Sequence, residues 1–546
     1  MSSALMSGVT GLRAHETMLD VAGNNLANLN TYGYKAGRVG FAEQLAQTLR
    51  EATQPTSALG GTNPQQIGSG VTVGSIDRNM AQGTLVNTGG PLDLAMDGKG
   101  FFVVHDGKQE VYTRVGHFAI DADYNLVDPS TGYRVQRIGS AGVAEGFQSV
   151  GSDDIRIPYD VALPAKATNL ISYSGNLSAD ANAPTRAMMT SGIQYKVSGA
   201  IAGSTTALAA LDQTSGLAAG DTITISGADV DGTPVNTNWV LAGGETLGDL
   251  VAQISGAFTG ATAVLDGGEI QLQDDGLGGY SRTDLLLAYT PSGAGTFELP
   301  GHFEMLDAGG NESRTATIEV FDTYGKSYVL SVAFVRTDTP NMWDAVVMGV
   351  SGGTAAIDDR RITGISFNQD GSYGGTTDTP TFTVRYGGPA DSPATLNLEL
   401  GTTGQYDGLS QFGGSSTVAA ATQDGYEAGY LSSLSVSREG DIMGMFTNGV
   451  RRTIASIKVG TFQNPAGLLA IGDSYYQSSS NSGDAIPTRA LAGGAGAVTG
   501  GSLERSNVEV AQEFVNLIEA QNGFQANART IKVTNDMLRE LSNLIR

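Results

Sequence analysis

Apolar residues recur along this chain at two different periods. Near the N-terminus Leu5, Leu12, Leu19 and Leu26 fall seven residues apart, with Val9, Ala22 and Leu29 between them. Near the C-terminus Val510, Phe514, Leu517, Gln521, Phe524, Ala528, Ile531, Asn535, Leu538 and Ile545 keep a four-three alternation. This spacing lays an apolar stripe along one side of a helix, as a coiled-coil seam requires. It predicts one long helix over 3–30 and another that starts at the capping-box pattern Ser506-Asn507-Val508-Glu509. Gly33 is placed to take the left-handed conformation that closes the first helix.

Between the helices the period shortens to two. Residues 71–138 alternate strand and turn, with Asp97-Gly98 and Asp106-Gly107 as hairpin turns. Further strands are predicted at Thr315–Phe321, Tyr328–Arg336 and Trp343–Val350, and a short helix at Thr246–Ile254. The reading is a mainly β, nested multi-domain chain with a terminal α-helical coiled coil. Residues 1–33 and 503–546 form the helical domain, and 34–70 an extended connector with a helical patch around Phe41–Leu49. Residues 71–150 with 420–502 form a first β domain, and 151–185 with 301–419 a second. An outer β/α module, 186–300, is inserted in the second.

Composition narrows the function. A chain of 546 residues is too long for one core, and its 76 glycines suit many short strands joined by tight turns. A formal charge of -24 argues against nucleic acid and anionic membrane surfaces, which demand a basic face. With no cysteine there is no disulfide, thiol nucleophile or Cys-ligated zinc. No run reaches the roughly eighteen apolar residues that span a bilayer, so no membrane insertion is expected. The N-terminus lacks the basic flank and apolar block of a cleaved signal, which by itself points to the cytoplasm.

Candidate chemistry is sparse. His15, His105, His117 and His302 lie far apart and near no carboxylate constellation, so surface or half-buried strand positions are expected for them. Asp121-Ala122-Asp123-Tyr124-Asn125 opens like a calcium loop, but Leu126 stands where glycine is needed and Gly132 where glutamate is needed. It reads as a hairpin connection. No catalytic residue, metal site or cofactor is expected. Two apolar stripes outside a β-rich body point instead to ends that pair with each other and with other copies. The expectation is that both are loose in a free monomer and order on polymerisation, their Ala-, Gly- and Asn-rich faces packing on neighbouring subunits.

Leu19-Asp20-Val21-Ala22-Gly23-Asn24-Asn25-Leu26-Ala27-Asn28, with Thr31-Tyr32-Gly33-Tyr34-Lys35 after it, resembles the N-terminal signature of the bacterial flagellar rod and hook protein family. Ser506-Asn507-Val508, Glu513 through Ile518 and Gln521 through Lys532 are similar to its C-terminal signature. Asn87 through Ala95 and Gly100-Phe101-Phe102 fit its first β domain, and Thr317 through Lys326 is similar to the second domain of the hook-type members. The stretch 219–287 looks like a small β-α-β module of flagellins and hook-associated proteins.

The resemblance implies a non-enzymatic subunit that polymerises into a flexible hollow tube and passes torque from motor to filament. It implies export through the flagellar type III apparatus without a cleaved signal, an extracellular place in the flagellum, and contacts with rod, hook-cap and hook–filament junction proteins. Leu5, Leu12, Leu19, Leu26, Phe514, Leu517, Gln521, Phe524, Ile531, Leu538 and Ile545 are the expected seam. Asn24, Asn25 and Asn28 are expected to bond across helix ends or between subunits, and Gly33, Tyr34 and Lys35 to act as a hinge. Distal-rod, hook-associated or filament-type proteins share the helices. A secreted β-rich carbohydrate-binding protein or hydrolase is the alternative from another class.

Overall fold

The computed structural model of the chain describes residues 3–57, 59–180, 184–276, 278–352, 356–387 and 392–544. Short antiparallel strands dominate them, with α1 (Ser3–Ala27), α2 (Leu247–Ala257) and α3 (Val510–Leu544) as the α-helices. The chain divides into two compact units, Met1–Leu163 with Tyr430–Arg546 and Pro164–Gly429. The second interrupts the first, so the nested architecture read from the pattern is present.

In the first unit, strands from the two halves of the chain share sheets. Phe101–His105 pairs with Val459–Thr461, Leu94–Asp97 with Ala497–Gly500, and Leu85–Asn87 with Ser502–Glu504. The last of these pairings carries the chain straight into α3. The residues 121–125 form the expected connection: Asp121 Oδ1 accepts from the N–H groups of Asp123 and Asn125 at 2.9 and 2.7 Å, and the flanking strands pair Ala119 with Val127.

Two local expectations are corrected. The stretch around Phe41–Leu49 is not helical. Gly37–Glu43 pairs antiparallel with Val71–Arg78, and Ala46–Arg50 with Gln65–Gly68. Long-range pairing overrides a local run of good helix formers. Nor does Ser506 form a capping box. Its Oγ accepts from Val508 N–H at 3.3 Å, and α3 begins three residues later than expected, with Glu509 C=O taking the first helical bond from Glu513.

In the second unit, Leu170–Ser178 lies parallel to Ala394–Glu399 and Leu409–Phe412 and antiparallel to Ala419–Gln423, which ties the unit's two ends together. A five-stranded antiparallel sheet is built on Ser313–Phe321, Ser327–Arg336 and Met342–Ser351. One face, with Trp343, Phe334, Leu330 and Val332, is fully buried against Tyr173, Phe382 and Leu396. Ala333, Val335 and Val346 on the other face share a second core with the inserted strands and α2. There Thr246 caps α2 in a true capping box with Asp249, and Leu247, Leu250 and Ile254 face inward.

Candidate functional site

The two terminal helices are packed against each other within the chain. Contacts run in opposite directions along the chain. Gly8 meets Ile531, Gly11 meets Asn527, His15 meets Gly523 and Asn25 meets Glu513. The pair is therefore antiparallel. A Cβ added to Gly11 would stand 2.7 Å from Asn527 Oδ1, so any larger residue there has to displace the Asn527 side chain. Gly523 makes the same room for the His15 ring, which also packs edge-on against Phe41 of the first hairpin at 5.6 Å. Ala14, Ala22 and Ala520 complete a buried seam of small residues.

This reverses the expected division of labour. The Gly- and Ala-bearing face closes the pair within one chain. Leu5, Leu12, Leu19, Leu26, Leu517, Phe524 and Ile531 are half-buried, Ile531 against Gly8. Phe514 and Leu538 are half exposed and Gln521 is exposed, so these three stand outside the intrachain contact. Ile545 lies outside the described residues. Helices that approach through glycine and alanine leave little room between them, and Gly8 opens the space that the Ile531 side chain fills.

At the root of the pair, polar side chains fasten the helices to the β domain. The buried Asn25 amide donates to Gly37 C=O at 2.8 Å and to Glu513 Oε1 at 3.1 Å. Its Oδ1 accepts from Gly37 N–H at 2.8 Å and Tyr34 Oη at 3.2 Å. Asn28 bonds within its own helix end, to Asn24 C=O and Asn24 Oδ1, each at 3.0 Å. Asn507 accepts from Ala36 N–H at 2.8 Å and donates to Asn79 and Ala81 C=O at 2.8 and 3.0 Å.

Lys35 is buried beside these groups. Its Nζ contacts Glu504 Oε1 at 2.6 Å and Ala81 C=O at 2.8 Å, while Arg114 Nη1 reaches Glu504 Oε2 at 3.5 Å. The Arg114 guanidinium also lies over the Phe101 ring, 5.0 Å from its centre. Burial pushes the Lys35 ammonium below its ordinary pKa, and the Glu504 carboxylate opposes that shift. Arg114 is lowered by burial in the same way.

The expected hinge is thus a fastening. Gly33, at φ +66°, packs on Val115 and donates to Glu504 C=O at 2.8 Å, and Lys35 anchors an ion cluster withdrawn from water. Glu504, Arg114, Gly11 and Gly523 are the members that periodicity could not reveal. Gly11 and Gly523 leave a trace in the sequence as glycine inside a helical pattern, which marks a close approach; Glu504 and Arg114 leave none.

Among the described residues no group of three or more His, Asp or Glu side chains is placed to hold a metal ion. His117 forms an exposed pair with Asp93 at 2.7 Å. No described helix is long and apolar enough to cross a membrane.

Four family models match the chain. They are the flagella basal body rod protein (5–35), the flagellar hook protein FlgE/F/G D1 domain (95–179), the flagellar basal body protein FlaE D2 domain (292–426) and the flagellar basal body rod FlgEFG protein C-terminal region (499–544). The flagellar hook protein FlgE of Borreliella burgdorferi is 31% identical across all of both chains, and that of Treponema pallidum is also 31% identical across all of both. The Salmonella typhimurium protein of the same name is 26% identical over 98% of each. A solved structure of the Helicobacter pylori flagellar hook protein FlgE2 matches 76% of this chain and 98% of its own, at a TM-score of 0.41 and 17% identity.

Proposed function

This chain belongs to the flagellar hook protein family, a structural subunit of the flagellum outside the cell, and we propose on that premise how its parts divide the work of the polymer. The helix pair is the adhesive core of a flexible hollow tube that carries motor torque to the filament. Neighbouring copies cover what one chain leaves open. The observation that carries this reading is the row of apolar side chains on α3 with nothing over them. Phe514, Ile518, Met537 and Leu541 are each half exposed or more, spaced four residues apart in two pairs, with Val515, Val533 and Leu538 beside them. Two exposed apolar patches, one near each end of the same helix, mark protein–protein contacts.

In this reading Leu5, Leu12, Leu19, Leu26, Phe524 and Ile531 hold the pair and touch the next subunit, together with Phe514 and Leu538. The Lys35–Glu504–Arg114 cluster transmits load between helices and β domain without slack. Rod, cap and junction proteins would meet the same helices at the two ends of the tube, and export would proceed through the type III apparatus. The subunit carries out no catalysis.

Phe514→Asp combined with Leu538→Asp should abolish tubes seen by electron microscopy while leaving the monomer's unfolding transitions unchanged. Normal tubes from the double variant would refute the reading.

A further inference from the structure

The inserted region contains a sheet whose pairing is incomplete on both sides. Thr222–Ala228 lies in its middle, antiparallel to Pro234–Val240 on one side and to Asp284–Thr290 on the other. Both pairings run unbroken over seven residues without a bulge, and no further strand joins either outer strand among the described residues. Asp229 N–H donates to Thr233 C=O at 2.9 Å, which sets the alternation of the ladder. Val235, Thr237 and Trp239 bond inward, and the backbone groups of Asn236, Asn238 and Val240 point away from the sheet. The same alternation turns Leu285, Leu287 and Tyr289 outward on the other edge. Leu285 N–H is taken by the Asp284 carboxylate at 3.0 Å, leaving Leu287 and Tyr289.

Proteins blunt such edges with charge, proline, bulges or a cover. Here the protection sits at one end only. Pro234 and Asp284, the latter ion-paired with Arg360 at 3.4 Å, both lie opposite Ala228. From there on, Val235–Val240 and Leu285–Thr290 carry no charged side chain, on a chain whose formal charge is -24. Asn236, Thr237 and Asn238 are exposed, as are Val240 and Leu286.

We infer that these two edges are a docking surface for a second copy of this chain, the Leu285–Thr290 edge of one copy receiving the Asn236–Val240 edge of the next. An uncharged strip is where two acidic copies approach with least repulsion. The edges lie on opposite sides of one sheet, so the contact is heterologous and propagates head to tail instead of closing a dimer. Both outer strands run the same way relative to the middle one. Copies pointing in one direction therefore meet as a parallel pair. The inference rests on the polymer reading and adds a second, backbone-mediated contact to the helical one.

Amide hydrogen exchange on the full chain, dilute and assembled, tests it. The N–H groups of Asn236, Asn238, Val240, Leu287 and Tyr289 should exchange fast in the monomer and lose that fast exchange in tubes. Asn238→Pro removes an outward donor and spares the ladder. Asn236→Asp with Asn238→Asp adds like charge at almost constant shape. Each should raise the concentration needed for assembly with the monomer's unfolding unchanged.

Tubes whose edge amides still exchange fast, or variants that assemble at the parental concentration, would overturn this contact alone. Slow exchange already in the dilute monomer would also overturn it, since the chain would then be covering its own edges. Protection gained only from an added, unrelated extended peptide would assign the edges to another occupant. Absence of tubes under all conditions would remove the polymer reading and this inference with it.

Discussion

Residues 164–429 and the terminal helix pair handle large apolar side chains in opposite ways. In the β unit Trp343, Phe334, Leu330, Val332 and Val347 are completely withdrawn from water. In the helix pair the buried positions go to Ala14, Ala22 and Ala520, and Ile518 and Met537 remain 57% and 59% exposed. Hydrophobic burial is finished within one chain in the first case and left unfinished in the second. The chain is therefore stable where it needs no neighbour and sticky where it needs one. Small residues at a helix contact are what make this possible. They let the pair form in a single copy without consuming the apolar surface that later copies cover.

The largest expected effect strikes the finished side. Trp343→Ala should cost the β unit about 3–5 kcal/mol through lost contacts and a cavity, read as a lowered denaturant midpoint of that unit's transition. Phe514→Ala on the unfinished side should change monomer stability by no more than about 0.5 kcal/mol. A comparable loss at both positions would erase the contrast. Second in size is the root. Glu504→Ala would leave Lys35 and Arg114 buried without their anion, a loss of about 3–5 kcal/mol for the unit that holds the helices. An unchanged transition for that unit would mean that the cluster opens to water and fastens nothing.

The same contrast explains what was legible in the sequence. Val–Thr alternation in 313–351 marks its strands because each side chain meets an obligatory neighbour across the ladder, and the strands form within two or three residues of the expected places. The helical stripes were equally plain. Which face of each helix turns inward was not, because a stripe of Leu and Phe reads as a seam whether its partner is the same chain or another. Gly11 and Gly523 decide the matter through their contacts with Asn527 and His15, 516 and 508 positions away in numbering (11 to 527 and 15 to 523), which no local window contains. Glu504 is invisible for the same reason: its partners Lys35 and Arg114 come from the far end of the chain. The 37–50 strands leave no local signal because their pairing with 65–78 is likewise non-local.

The smallest test separates the two regions by the sign of their response to alkali. Tyr289, in the β unit, is pushed up to about 12 by burial and by its bond to the Asp221 carboxylate at 2.6 Å. Above pH 10 the unfolded chain loses this proton while the folded one keeps it, so the folded state binds more protons and its stability falls as pH rises towards 12. Lys35, at the helix root, is shifted the other way, below its ordinary 10.5. Between its lowered value and 10.5 the unfolded chain binds more protons, so Lys35's contribution to stability rises with pH across that window. Tyr289→Phe should therefore flatten the alkaline decline of the β unit. Lys35→Met should remove a rising component from the unit that holds the helices. Denaturant midpoints measured from pH 8 to 12 on both variants and the parent resolve the two slopes. A slope left unchanged by Lys35→Met would show that the ammonium keeps its ordinary pKa and that the root cluster is as wet as the surface, and the fastening assigned to Lys35 would fail with it.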